Sequence, residues 1–414
     1  MFDHLLSSDA RSLKEEVRDF VKSIPRQMIL DMDNDTIRFP KEFLQEAGRR
    51  NLMGCRYPTR WGGRGLDWVT TTMVMEEIGT LGYIFACVFG VGAELVCDAI
   101  ILHGTDRQKE KYVKPLLKGE IFAAECLTEP RGGSDFFGTT TAAEDRGDYY
   151  LLNGQKRFIV GAEGADYFLV YAKTNPDALP HESLSCLIVD KGPGVKTEYL
   201  YGLMGCRGGG AGRVVFKDVK VPKENVVGRE NGAYPVFNTM MIPERLGTAA
   251  MTIGAARPAL EIATRYTTRR KAFGKPINRF QGVSFQVAEA AMLLDASRSF
   301  IHATASAVDN RIHPRKVRRM VSETKKFVTE SCQKAANNAM QVMGGIGYTN
   351  IYPIERICRD LRLASIWTGT NEVMSMIIAN EWYHQCADET AAGLARDCEN
   401  DAPGAFDDQE KIYE

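Results

Sequence analysis

The chain has 414 residues, of which 44% are hydrophobic and 25% charged, the make-up of a globular protein large enough for two or three domains with well-buried cores. A formal net charge of −1 gives no general attraction to nucleic acid or an anionic membrane. Ten scattered cysteines with no C-x-x-C pair read as buried small hydrophobes in a reducing compartment, not as a disulfide framework or zinc site, and no metal is expected.

No apolar run approaches the roughly 18–20 residues that span a bilayer, so no membrane insertion is expected. The opening Met1-Phe2-Asp3-His4, followed by Lys14-Glu15-Glu16, has neither the basic-then-apolar order of a secretory signal nor an Arg-rich transit composition. A cytoplasmic setting is the expectation.

In chain order, Ser8-Asp9 is placed to cap a helix through Leu13, Val17, Phe20 and Val21, stopped by Pro25. Helices are predicted over residues 70–82, over a small-residue apolar stretch at 84–101 suited to lie beside a ligand, and over 106–117. From about residue 122 the pattern changes to short β-branched and aromatic runs at 149–152, 167–171, 185–189 and 213–216, separated by Gly-rich turns. Asn153-Gly154 reads as a two-residue hairpin. The dense Gly208–Gly212 run reads as a flexible loop between strands, near an entrance. Long helical patterns return at about residue 232, including 255–270, 284–310 and 316–344, with the spacing of an antiparallel bundle. The acidic, apolar-poor end from Cys386 reads as a loose tail. The expected organisation is a helical unit (1–121), a β unit (122–231), a helix bundle (232–385) and the tail (386–414).

Five segments carry chemistry. They are Cys126-Leu127-Thr128-Glu129-Pro130-Arg131-Gly132-Gly133-Ser134-Asp135; Asn153-Gly154-Gln155-Lys156-Arg157-Phe158-Ile159-Val160; Arg269-Arg270-Lys271-Ala272-Phe273-Gly274 with Phe280-Gln281; Gln341 with Met343-Gly344-Gly345-Ile346-Gly347; and Trp367-Thr368-Gly369-Thr370-Asn371-Glu372, to be taken with Pro243-Glu244-Arg245-Leu246. No G-x-G-x-x-G follows a predicted strand, which leaves a nicotinamide site without support.

Together these segments and the helix–strand–helix order resemble the acyl-CoA dehydrogenase family over about residues 5–385. The resemblance implies an α+β fold with a helical N-terminal domain, a central antiparallel β-barrel or sandwich and a C-terminal four-helix bundle. It implies FAD as cofactor, an acyl-CoA substrate, electron-transfer flavoprotein as redox partner, and a homotetramer or homodimer. In the first segment Cys126 and Thr128 would lie at the flavin, the Thr hydroxyl and nearby N–H groups at its pyrimidine edge, while Ser134 would lie near the CoA phosphates. Arg131 stands where the family usually has Gly. Phe158 would pack on the flavin ring, and Val160 stands where a Thr or Ser normally donates to flavin N5. Arg270, Phe273 and Gln281, with Gln341 and Gly345, would hold the FAD of a neighbouring subunit. Thr370 and Glu372 would contact FAD; Trp367, Thr368, Gly369, Arg245 and Val91 would line the substrate, with the N–H after position 368 polarising the thioester.

One departure matters most. The family's commonest base is the Glu of an aromatic-Glu-Gly-Thr turn, and here that position is Thr368, which has no carboxylate. A minority of members carry the base at the position of Glu244, which therefore becomes the expected catalytic residue, at the start of a helix. The alternatives for Glu244 are a helix-start Glu without chemistry or an ion pair to Arg245; Glu94, on the 84–101 helix, is a further candidate base. By family analogy, a base at 244 and the small Thr368 go with branched, long or alicyclic acyl groups. Rival activities on the same fold are an acyl-CoA oxidase, an enoyl-CoA reductase, a desulfinase-like non-redox enzyme and a silent CoA-binding homologue. Arg359, Asp360 and Arg362 read as structural ion-pair residues of the bundle.

Overall fold

The computed structural model describes residues 3–396, 398 and 400–407. Helices occupy the first part, with Ser8–Ser23, Lys41–Arg49, Trp68–Gly79 and Tyr83–His103 the principal ones. Ser7, one residue earlier than expected, caps the first by accepting from the Ala10 N–H at 3.1 Å. The Tyr83–His103 helix corrects one expectation: at 21 residues it is long and apolar enough to cross a membrane. It is instead buried inside the protein, with 78% of its most apolar 18-residue window enclosed, and its side chains belong to the helical core. Its Val91–Val96 stretch is wound as a π-helix.

Next come eight strands: β1 (Ala123–Cys126), β2 (Ala142–Asp145), β3 (Tyr149–Ile159), β4 (Tyr167–Lys173), β5 (Leu184–Asp190), β6 (Val195–Leu200), β7 (Gly212–Pro222) and β8 (Val226–Val227). They form one sheet in the order β6-β7-β3-β2-β4-β5-β8, with β1 pairing β4. Pairing is mostly antiparallel, but β1 and β2 both meet β4 in parallel. β4 and β5 are buried on both faces, which is why they read as continuous apolar runs. One face (Phe168, Val170, Leu187, Val189) closes on the strand core, and the other (Tyr167, Leu169, Tyr171, Ile188) packs with the helices.

Asn153-Gly154 makes no hairpin. It lies inside β3, at a register shift against β7. Asn153 accepts from the Asp218 N–H at 2.8 Å and donates to that side chain, while Gly154 sits at φ 150° against Thr141, where a Cβ would collide. The signal marks a bulge. The glycine-dense run is also no open loop: Gly208, Gly209 and Gly210 are buried against Met32, Ile84 and Glu163.

Four long helices follow: Ala233–Arg269, Gln281–Asp309, Pro314–Met343 and Asn371–Ala391. The first begins some twenty residues before its clearest periodic stretch, and the last runs on to Ala391, into the expected tail. Residues 408–414 lie outside the described residues. The Trp68–Gly79 and Ala233–Arg269 helices meet backbone to backbone: a Cβ on Gly79 would lie 2.8 Å from the Met251 carbonyl, and one on Gly254 would strike the Glu76 carbonyl. Arg257 and Arg298 then pair with Glu76 and Glu77 along the same seam, at 2.7–2.9 Å.

Candidate active site

A cavity of ≈ 590 Å³ lies between the N-terminal helices, the sheet and the bundle. That falls within the usual size of a small-molecule or cofactor pocket. The apolar helix contributes Val91, Glu94 and Leu95, and β1 with its following turn contributes Glu125, Leu127, Thr128 and Ser134. Phe158 and Val160 come from the end of β3, Met241, Glu244 and Arg245 from the long bundle helix, and Trp367 to Thr370 from the turn before the last helix.

Residues 367–370 are held from several sides. The Trp367 indole N–H donates to the Tyr83 hydroxyl at 3.0 Å, and their rings pack edge to face. Thr368 sits at φ 55° and Gly369 at φ 77°. For a β-branched residue that left-handed conformation is strained, which marks a turn whose shape the surroundings impose. Lys325, without exposed surface, donates to the Gly369 carbonyl and to the Asn371 side chain, both at 2.9 Å. Burial pulls its pKa down to about 8, against the pull of Glu244. Thr370 caps the last helix by accepting from the Val373 N–H. The Thr368 hydroxyl receives only a long contact from Thr248, at 3.4 Å.

Glu244 faces this turn across the cavity. It is the twelfth residue of the Ala233–Arg269 helix, not its start, so the helix macrodipole gives its anion little help. The preceding Pro243 lies within the same helix. Burial pushes the Glu244 carboxyl well above the ordinary carboxylate range, with Arg245 and then Lys325 opposing the rise. Glu244 makes no ion pair or hydrogen bond among the described residues. Arg245 is occupied elsewhere, donating to Ser322 at 3.1 Å, and burial lowers its pKa to about 10.

Two further carboxyls line the cavity. Glu94 is pinned by Arg56 at 3.3 Å, beside the 2.7 Å pair of Arg56 with Asp98, and burial raises it to about 7. Glu125 is raised by burial and then by the charge of Glu244.

The first motif owes its shape to a buried ion pair. Glu129 and Lys156, both without exposed side-chain surface, meet at 2.7 Å. Glu129 also accepts from the Thr140 N–H and hydroxyl at 2.6 and 2.7 Å, while Lys156 donates to the Leu127 carbonyl at 3.0 Å. This clamp fixes Thr128 at the cavity wall. Cys126 does not line the cavity: its side chain is buried in the strand core. Phe158, at φ 57° and 57% exposed, packs at a 40° tilt against Tyr201, with ring centroids 4.7 Å apart, and leaves aromatic surface uncovered beside Val160.

Six further expected residues are outside the cavity. Arg270, Gln281, Gln341 and Gly345 are exposed on the bundle, as is Phe273, at φ 50° and 94% exposure on a tight hairpin. Glu372 is exposed at the start of the last helix. Three site residues escaped sequence reading: Lys325, Glu125 and Tyr83. The first two carried a signal. Lys325 falls on the buried stripe of Val321, Thr324 and Val328, and Glu125 interrupts the small apolar run of β1.

Three consecutive matches cover the chain: acyl-CoA dehydrogenase N-terminal domain over residues 7–120, middle domain over 124–219 and C-terminal domain over 231–382. Relatives include the caffeyl-CoA reductase–Etf complex subunit CarC of Acetobacterium woodii, 36% identical over 90% of this chain and 98% of that protein. The 3-(aryl)acrylate reductase of Clostridium sporogenes is 34% identical over 89% and 97%. Among solved structures, butyryl-CoA dehydrogenase of Megasphaera elsdenii superposes with a TM-score of 0.87 at 29% identity, covering 91% of this chain and 99% of that one. With all three domains matched in order, the chain belongs to the acyl-CoA dehydrogenase family.

Proposed function

We propose that this protein interconverts an acyl-CoA thioester and its α,β-unsaturated form, with Glu244 as the group that takes or returns the α-proton. The observation that carries this reading is the state of Glu244: it lines the cavity, makes no ion pair or hydrogen bond among the described residues, and has a carboxyl raised toward neutrality. A general base works best with its pKa near the working pH. The rival position holds Thr368, and Glu94 is bound to Arg56.

FAD, the family's cofactor, exchanges a hydride with the substrate β-carbon when bound. The residues present fit it: Thr128 and the exposed face of Phe158 line one wall of a cavity large enough for a flat ring system. The turn backbone after Thr368, fixed by Lys325, would polarise the thioester carbonyl. Arg270, Phe273, Gln281, Gln341 and Gly345, all exposed, fit contacts to the cofactor of a second copy in a homo-oligomer.

A branched or alicyclic acyl group suits the open space at Thr368. The reductive direction is the second reading, favoured by the two relatives named as reductases, one of them part of an Etf complex. An electron-transfer flavoprotein is accordingly the proposed redox partner. Anaerobic flavin bleaching by straight, branched and alicyclic acyl-CoA thioesters, native against Glu244→Gln, tests the assignment. Loss of about 10²–10⁴-fold in rate is expected in the variant. Unchanged bleaching would remove Glu244 from the mechanism.

A further inference from the structure

Strand β1 sends alternate side chains to opposite faces. Ala124 and Cys126 enter the strand core, so Glu125 and Leu127 turn into the cavity. There Glu125 shares its wall with Phe136, Phe237 and Met241. Its Oε1 is shut off from water and has no hydrogen-bond partner. The Tyr171 hydroxyl, on a side chain with no exposed surface, is also unpartnered. Pairing of Glu125 with Leu169 puts Tyr171 two residues along β4 on the same face. The hydroxyl favours the charged form of Glu125, but the geometry is not that of a hydrogen bond to Oε1. Native proteins pair the great majority of buried polar atoms, so an orphan carboxyl oxygen at an apolar cavity wall, with Tyr171 buried behind it, calls for a partner. The proton transfer assigned to Glu244 gives them no task.

We propose that Glu125, with Tyr171 beside it, determines specificity by hydrogen-bonding a hydroxyl group carried on the acyl part of the substrate, so that the preferred thioester is oxygenated rather than a plain hydrocarbon. This rests on the thioester reading above. Burial and the neighbouring Glu244 charge hold the Glu125 carboxyl above its ordinary range, so near neutrality it offers both an O–H donor and a carbonyl acceptor. A hydroxyl group can satisfy both. A hydrocarbon acyl group would leave the Glu125 oxygen dry and unpaired, which is how a polar site rejects a ligand lacking the matching group.

The test is calorimetric titration of the FAD-loaded protein with matched pairs of CoA thioesters. Each pair is a parent aryl or alicyclic acyl group and its ring-hydroxylated forms, with CoA alone as reference. At least about tenfold tighter binding of one hydroxylated form over its parent is expected in the native protein. Glu125→Leu should abolish that preference while keeping parent affinity, and Glu125→Gln, still a donor and acceptor, should retain part of it. Equal affinities within every pair in the native protein would overturn the proposal. So would an equal loss in Glu125→Leu for every ligand including CoA alone, which would put the contact on the CoA portion. Flavin absorbance followed in the same titrations separates binding from reduction, so failure here is distinct from absent bleaching, which would sink the dehydrogenase reading instead.

Discussion

Lys325→Met isolates the buried ammonium behind the active-site turn. In the native protein burial lowers this amine from 10.5 to about 8, although it donates to the Gly369 carbonyl and to Asn371. Between those two pKa values the unfolded chain binds a proton that the folded protein does not, so folding stability rises with pH across that window. The drop from 10.5 to about 8, at ~1.4 kcal/mol per pH unit, amounts to about 3.5 kcal/mol, of which about 3 kcal/mol falls between pH 7.5 and 10.5. Below pH 7.5 the amine is charged in both states and adds no slope. Methionine has no such proton. Urea unfolding of the two proteins at pH 7.5, 9 and 10.5 should therefore show native stability gaining about 3 kcal/mol on the variant as pH rises. The variant's flavin bleaching should also slow, because nothing then fixes the Gly369 carbonyl, and its acidic limb should move to higher pH as Glu244 loses a positive neighbour. A stability difference that stays flat with pH would refute the lowered pKa of the buried Lys325.

Arg56→Met should destabilise the fold by about 3–5 kcal/mol at pH 7.5, because Glu94 and Asp98 lose the cation between them. Both carboxyls are raised by burial, Glu94 to about 7, so the penalty should shrink at pH 5, where Glu94 is protonated; a penalty independent of pH in urea unfolding would contradict this. Phe273→Gly should relieve a left-handed strain of ~1–2 kcal/mol while weakening FAD retention on gel filtration. Unchanged FAD retention would remove Phe273 from the cofactor contacts.

Much of the architecture was legible because it rests on periodicity and on motifs dictated by local chemistry. The helix–strand–helix order follows from apolar spacing that changes period near residue 122 and again near 232. Thr128, Ser134, Phe158 and the 367–370 turn, singled out from the sequence, line one cavity. What escaped depends on contacts between distant segments. Asn153-Gly154 is the same dipeptide in a hairpin or a bulge, and only the pairing of β3 with β7 chooses. The glycines at 208–210 look mobile until Met32 and Ile84, over a hundred residues away, pack on them. For Glu244 the expected place at a helix start was wrong: the helix continues through Pro243, so no helix terminus stands against the rise that burial gives its pKa.

The close contact of Gly79 and Gly254 also bears on how many substrates the enzyme can take. Because the two helices touch through main chain, they have no side chains to compress and no slack with which to part around a bulkier guest. The neighbouring wall of the cavity is Met75 and Met251, unbranched side chains that can swing without moving a helix. Tolerance at this end is thus a matter of thioether rotamers against a fixed frame. Widening the repertoire calls for shorter residues at 75 or 251, whereas any side chain at 254 would part the frame itself.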